Sequence, residues 1–128
     1  MPDPDPAQPP VLDEAVLGEL SASVQGDRAF VVELINAYLT DGPAQVDAIE
    51  AAVAADDASA LVRPAHTLKS SSATVGAQRL AAASRELEMA GRSGSLLATS
   101  SATVASLRAE WEAVVAALRE WIAKGEDG

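Results

Sequence analysis

Small and apolar residues spaced three and four apart run through most of this chain, and this spacing constrains the fold more than any other feature. From Arg28 to about Ala55 one such series comprises Val31, Ile35, Tyr38, Gly42, Val46, Ile49 and Val53. Spacing of this kind places side chains on one face of an α-helix. The series keeps its phase through Gly42-Pro43. It therefore predicts one long helix that bends at Thr40 to Pro43, where proline removes a backbone hydrogen bond.

The same spacing predicts four further helices. They cover Val11–Ser21, Ala58–Val75, Ala77–Ala90 and about Ser95–Ala123. Turn-forming residues separate them, notably glycine at positions 26, 76, 91 and 94. Because short connections make successive helices antiparallel, we expect an all-α fold: an antiparallel up-down four-helix bundle with a short additional N-terminal helix.

The two ends of the chain lack this pattern. Residues 1–10 alternate proline with polar residues, which predicts a disordered leader because proline lacks a backbone donor and restricts the residue before it. We expect residues 125–128 to form a flexible tail. Residues 11–124 then form a single domain, as the length of 128 residues suggests.

Composition excludes several classes of function. A net charge of −10 argues against nucleic acid and against an anionic membrane surface as partners. No apolar run approaches the ~18 residues of a membrane span, and we expect a cytoplasmic protein. Neither G-x-x-x-x-G-K-[ST] nor G-x-G-x-x-G occurs, so we expect no nucleotide site of its own. One histidine and no cysteine argue against a di-metal site or a thiolate site, and we expect no metal and no cofactor.

The single histidine, His66, lies in the third predicted helix. At about 100° per residue, a sector of that helix roughly 80° wide holds the small and apolar side chains. These are Leu61, Ala65, Leu68, Ser72 and Val75. His66 falls about 120° from the axis of this stripe, at the edge of the solvent side, with Lys69 one turn further on the same face. A neutral imidazole is a nucleophile and an ammonium suits an anion, so this face permits reversible storage of a phosphoryl group. A solvated histidine without a role is the alternative.

The segment around His66 resembles the signature of the histidine-containing phosphotransfer family, H-x-L-K-G-S-S-x-x-x-G-A. The matching residues are His66, Leu68, Lys69, Ser71, Ser72, Gly76 and Ala77. Ser70 departs, because the family more often has glycine there. The resemblance extends through Leu80 and Leu87-Glu88, and it covers the chain from about Val11 to Leu118.

This resemblance implies a phosphorelay intermediate rather than an enzyme with its own nucleotide site. His66 would accept and donate the phosphoryl group through Nε2, and Lys69 would stabilise the phosphoryl oxygens. Ser70 would control clearance, and Gln78 or Arg79 would add a hydrogen bond from the next helix. We expect docking residues around His66. These are Val62, Ala73 and the exposed apolar residues Leu17 and Phe30.

The implied partners are response-regulator receiver domains, which own the reactive aspartate and the Mg²⁺, and a hybrid histidine kinase. We expect the protein to be a monomer. Alternatives remain: the substrate domain of a chemotaxis-type histidine kinase, a bundle that has kept the fold but lost the phosphate role, and an unrelated helical adaptor. A serine hydrolase centred on Ser70 is disfavoured because no oxyanion donor or buried acid is evident on that open face.

Overall fold

Five α-helices and no strand make up the part of the chain that the structure, a computed structural model, describes: residues 10–96, 99 and 101–126. The helices are α1 (Glu14–Ser23), α2 (Arg28–Ala54), α3 (Ala58–Thr74), α4 (Gln78–Ser93) and α5 (Ser101–Glu126). This confirms the predicted all-α fold with a short N-terminal helix. The predicted leader, apart from Pro10, lies outside the described residues, as do the last two residues of the predicted tail.

Helix α1 begins at Glu14, three residues later than predicted, because Asp13 is its N-cap. The Asp13 carboxylate accepts a hydrogen bond from the Ala15 backbone N–H at 3.1 Å. The Asp13 backbone N–H in turn donates to the Gly76 carbonyl at 2.8 Å. Gly76 has a φ of 85°, and a Cβ there would lie 2.6 Å from the Asp13 carbonyl oxygen. Glycine at position 76 therefore lets the start of α1 pack on the turn between α3 and α4.

Helix α2 begins after Asp27, whose carboxylate accepts from the Phe30 N–H at 3.1 Å, and it runs unbroken through Pro43. The prediction of one long helix is thus confirmed. Gly42 is buried against α5, and a Cβ at this position would overlap the Trp111 indole ring. The absence of a side chain at position 42 allows the two helices to approach this closely.

Helices α3 and α4 form a tightly packed antiparallel hairpin. A Cβ at Gly91 would lie 2.8 Å from the Ala58 carbonyl oxygen and 2.9 Å from Val62 Cγ2. The prediction that α4 ends at Ala90 was wrong: α4 continues to Ser93, and its C-cap is Gly94, which has a φ of 79°. Gly91 is a close-packing residue inside the helix, whereas Gly94 supplies the left-handed conformation that ends it.

The core joins all five helices. Its large fully buried side chains are Leu17, Val31, Ile35, Val46, Ile49, Leu61, Leu68, Val75, Leu80, Leu107, Val114 and Leu118. One polar pair crosses it: the Tyr38 and Ser72 hydroxyls lie 2.7 Å apart, and burial raises the pKa of Tyr38 to about 12. The Tyr38 ring also packs edge-on against Trp111, with centroids 5.2 Å apart. Tyr38 of α2 and Ser72 of α3 therefore lie at the same level of the bundle.

Helix α5 begins at Ser101 and not at the predicted Ser95; the described residues before it, Ser95, Leu96 and Thr99, are not helical. Arg108 on α5 donates two hydrogen bonds to Glu50 and one to Asp47, each at 2.7 Å. These bonds connect α5 to α2. No helix in the described part of the chain is both long enough and apolar enough to cross a membrane.

Candidate functional site

His66 projects from the outer surface of the α3–α4 hairpin. Its side chain is 53% exposed. All five members of the predicted apolar stripe of α3, from Leu61 to Val75, are buried. The helix therefore has the rotational phase that the sequence indicates, with the imidazole at the edge of the solvent side.

Three cationic or potentially cationic groups converge on one carboxylate beside His66. Glu88 on α4 is only 7% exposed in its side chain, and its Oε2 lies 3.1 Å from His66 Nδ1. Lys69 Nζ lies 2.7 Å from Glu88 Oε1, and Arg92 donates to Oε2 from Nε at 2.9 Å and from Nη2 at 2.8 Å. We call these four residues the Glu88 cluster.

The charges of this cluster determine the ionisation of Glu88. Its hydrogen bonds with Lys69 and then Arg92, with a smaller contribution from His66, lower the pKa of Glu88 to about 2. The carboxylate is therefore ionised at neutral pH. These partners outweigh burial, which by itself raises the pKa of a carboxyl group.

The ionised carboxylate also decides which imidazole nitrogen is free. An ionised carboxylate can only accept, so Nδ1 of His66 is the donor in this hydrogen bond. In the neutral ring the lone pair then lies on Nε2. No described residue forms a hydrogen bond to Nε2. The arrangement presents a nucleophilic nitrogen to solvent and holds the opposite side of the ring against a negative charge.

The site contains no evident place for a metal ion. Within residues 10–96, 99 and 101–126, no group of three or more histidine, aspartate or glutamate side chains lies close enough to hold one. The described side chains that meet here are the imidazole, one carboxylate and two cations.

Comparison with known proteins places this geometry in a family. Residues 33–121 match the model of the Hpt domain. The chain belongs to the Hpt domain family. The structure is also similar to the crystal structure of histidine-containing phosphotransfer protein B from Pseudomonas aeruginosa PAO1, with a TM-score of 0.80 and 27% sequence identity. That similarity covers 91% of this chain and 98% of the other. No curated protein matches the sequence.

Membership of the Hpt family establishes the general function: this is a histidine phosphotransfer protein of the kind that acts in phosphorelays with receiver domains and histidine kinases. A chance motif match in an unrelated helical adaptor is thereby excluded. The match also explains why a chain without a nucleotide-binding motif carries an exposed nucleophile, since Hpt domains are carriers of a phosphoryl group.

Four of the predicted site residues share the face of the Hpt domain that presents His66. Lys69 and Ser70 lie one turn after it; Ser70 is exposed, whereas the Lys69 ammonium is engaged by Glu88. Ala73 is exposed two turns after His66. Val62, one turn before it, is partly buried against α4. These four residues lie within two turns of His66 along α3.

Gln78 and Arg79 do not reach the imidazole, contrary to expectation. They begin α4 beside the end of α3, and His66 lies eight residues before that end, which is about 12 Å along the axis. Arg79 instead pairs with Glu110 on α5. The residue of α4 that hydrogen-bonds to His66 is Glu88.

The two predicted docking residues outside the hairpin, Leu17 and Phe30, differ in their exposure. Leu17 is fully buried, so the expectation that it is exposed was wrong: the apolar side of the short helix α1 packs into the core. Phe30 is 46% exposed. Tyr38 on α2 and Ser72 on α3 lie at the same level of the bundle. Phe30 precedes Tyr38 by eight residues, and His66 precedes Ser72 by six. Because α2 and α3 are antiparallel, these offsets add, and Phe30 and His66 lie about 20 Å apart along the bundle.

Glu88 and Arg92 were not among the predicted site residues. A signal for Glu88 was present, because it occupies a three-four series of small residues that faces α3, namely Ala81, Ser84 and Gly91. A carboxylate in such a buried stripe requires a partner. Its partners on α3 could not be read from α4 alone.

Proposed function

We propose that His66 Nε2 accepts a phosphoryl group from the phosphoaspartate of a receiver domain and passes it to the aspartate of another receiver. A bond forms between Nε2 and phosphorus while the bond from phosphorus to the aspartate oxygen breaks, and the carboxylate leaves. The second transfer reverses these events. The observation that carries the proposal is the exposed Nε2 opposite an Nδ1 that donates to the buried, ionised Glu88.

The same hydrogen bond supports the charge that develops during transfer. Attack through Nε2 leaves the ring with a proton on Nδ1 and a positive charge, so no proton has to be removed. The Glu88 carboxylate stabilises that positive charge at 3.1 Å. We propose that Glu88 acts as a positioning residue, since it contacts the imidazole and not the phosphoryl group.

Cations beside the imidazole suit the anion that it would carry. A phosphoryl group adds roughly two negative charges at neutral pH. Lys69 is one turn from His66 on a flexible stem, and its ammonium can turn from Glu88 towards the phosphoryl oxygens. Ser70, exposed one turn beyond His66, limits how closely the partner approaches.

In this proposal the receiver domain contributes the aspartate and Mg²⁺, and a hybrid histidine kinase supplies the phosphoryl group. The docking surface includes Val62, Ser70 and Ala73 around His66, with Phe30 at its far edge. We propose that the chain functions as a monomer in the cytoplasm, with residues 11–124 as the domain. Relay interfaces of this kind are small and transient.

Phosphoryl transfer between purified proteins tests the proposal. A receiver domain labelled with ³²P on its aspartate is mixed with the wild-type chain and with His66→Gln, and a second, unlabelled receiver is then added. We expect acid-labile, alkali-stable label on the wild type, none on the variant, and passage to the second receiver.

Other outcomes of this experiment would contradict the proposal. Label that comes only from a kinase core with ATP would identify the substrate domain of a chemotaxis-type kinase. The absence of label from every donor would identify a bundle that has kept the fold and lost the phosphate role. Equal labelling of His66→Gln would place the phosphoryl group on another residue.

A further inference from the structure

The positive charges of this acidic protein are concentrated on the α3–α4 hairpin. Five of its nine Lys and Arg residues, but only two of its nineteen Asp and Glu residues, lie between residues 58 and 93. This segment carries a charge of +3, whereas the rest of the chain carries −13. Of the five helices, only α3 and α4 carry a net positive charge.

Four of these five cations surround His66 on the outer surface of the hairpin. Arg63 is exposed one turn before His66 on α3, and Arg85 is exposed one turn before Glu88 on α4. Because the two helices are antiparallel, these arginines lie on either side of the level at which His66 meets Glu88. Lys69 and Arg92 complete the group. We call this surface the basic face; it consists of Arg63, Lys69, Arg85 and Arg92.

The acidic residues of the hairpin do not cancel this charge. Glu88 offsets one of the two cations that bind it. Glu86 lines the groove between α4 and α5 with Leu87 and Leu107, on the other side of α4. Arg63 and Arg85 form no ion pair with any residue in the described part of the chain. The basic face and Glu88 together therefore carry a net charge of +3.

An exposed apolar side chain lies beside the basic face. Met89 follows Glu88 on α4 and is 58% exposed, one of two large hydrophobic side chains in the described residues with such exposure. A flexible methionine among cations is suited to a protein surface, because it packs against varied apolar side chains.

We infer that the basic face selects receiver domains whose surface around the phosphoaspartate is acidic, and that it accelerates their association by electrostatic attraction. This inference rests on the proposed function. Complementary charge raises the rate of encounter by 10- to roughly 1,000-fold and discriminates between partners. The net charge of −13 on the rest of the chain disfavours association of an acidic partner elsewhere.

A pair of charge reversals with a matched control tests the inference. Arg63→Glu/Arg85→Glu changes the basic face without touching the Glu88 cluster. Arg119→Glu/Lys124→Glu changes the net charge equally, but at exposed positions of α5. Transfer from a phosphorylated receiver with an acidic rim is measured across salt concentrations, after circular dichroism has shown that both variants are folded.

We expect the α3–α4 variant to lose about tenfold in kcat/KM at low ionic strength, with kcat within about twofold of wild type. The loss should shrink in high salt, where charges are screened within a few ångströms. The α5 variant should change by less than about twofold. A receiver in which the carboxylates surrounding the phosphoaspartate are replaced by lysine should restore the rate of the α3–α4 variant.

Three results would overturn the inference: equal losses in the two variants, a loss that high salt leaves unchanged, or no rescue by the lysine-rimmed receiver. In each case the wild type still becomes labelled, so the proposed function stands. If the wild type accepts no label from any receiver, the proposed function itself has failed.

Discussion

The Nδ1 atom of His66 on α3 lies 3.1 Å from Oε2 of Glu88 on α4, a contact between residues 22 positions apart in the sequence. It orients the imidazole and places its free nitrogen towards solvent. The contact also couples the nucleophile to Lys69 and Arg92, because all three groups share one carboxylate.

Replacing Glu88 should therefore slow phosphoryl transfer without removing it. In Glu88→Ala the imidazole of His66 loses its hydrogen-bond acceptor and can rotate. Nε2 then points towards the phosphoryl group in a smaller fraction of complexes. We expect the single-turnover rate from a saturating phosphorylated receiver to fall roughly tenfold or more, the scale of one charge-assisted hydrogen bond.

Glu88→Gln is the matched control for this prediction. Its amide oxygen can still accept from Nδ1, but it no longer carries a charge. We expect a rate between those of the wild type and Glu88→Ala. Equal rates in all three proteins would show that the contact with Glu88 does not assist the reaction.

Acidification should destabilise the protein through Glu88. The folded protein keeps this carboxylate ionised down to about pH 2, whereas in the unfolded chain it becomes protonated near its ordinary pKa of 4.5. The unfolded state therefore binds more protons between these values, and the contribution of Glu88 to stability is lost as the pH falls through this window.

Urea unfolding at a series of pH values between about 5 and 2 measures this effect. The free energy of unfolding of Glu88→Gln should fall less steeply than that of the wild type. The comparison with Glu88→Gln is needed because the hydrogen bond to Arg108 also lowers the pKa of Glu50. Protonation of Glu50 at low pH therefore destabilises the protein as well. Parallel curves for the two proteins would contradict the prediction.

Ser70 should limit access to His66 by its size. It is exposed one turn beyond His66, where the family more often has glycine. We expect Ser70→Gly to raise kcat/KM for transfer from a phosphorylated receiver and to lower the free energy of unfolding by about 0.5 kcal/mol, because glycine has a lower helix propensity than serine. Ser70→Leu should lower kcat/KM while leaving the fold intact. If both variants transfer at the wild-type rate, the size of the side chain at position 70 does not limit access of the receiver to His66.

Gly42 should be essential to the packing of α2 on α5. A methyl group there would overlap the Trp111 ring, so Gly42→Ala should lower the free energy of unfolding by about 1–3 kcal/mol. Urea unfolding followed by tryptophan fluorescence measures the change.

Gly18→Ala is the control for Gly42→Ala. Gly18 lies inside α1, and a Cβ there would meet nothing within 4 Å. Alanine should therefore stabilise the protein by about 0.5–1 kcal/mol through its higher helix propensity. Stabilisation by Gly42→Ala as well would show that the ring moves aside without cost.

The sequence by itself determined which segments are helical and the rotational phase of α2 and α3. Apolar spacing depends only on the geometry of one helix, so it correctly predicted that α2 is continuous through Pro43 and that the α3 stripe from Leu61 to Val75 is buried. The same geometry placed His66 at the edge of the solvent side. Caps at Asp27 and the turn at Gly76 likewise follow from local backbone chemistry.

Only the tertiary structure decided which helices meet at which level. The register of α4 along α3 brings Glu88, rather than Gln78 or Arg79, to His66, and it makes Gly91 a packing residue. The burial of Leu17 likewise depends on where α1 docks. Contacts between helices depend on the packing of side chains distant in sequence, and the periodicity of a single helix contains no information about that packing.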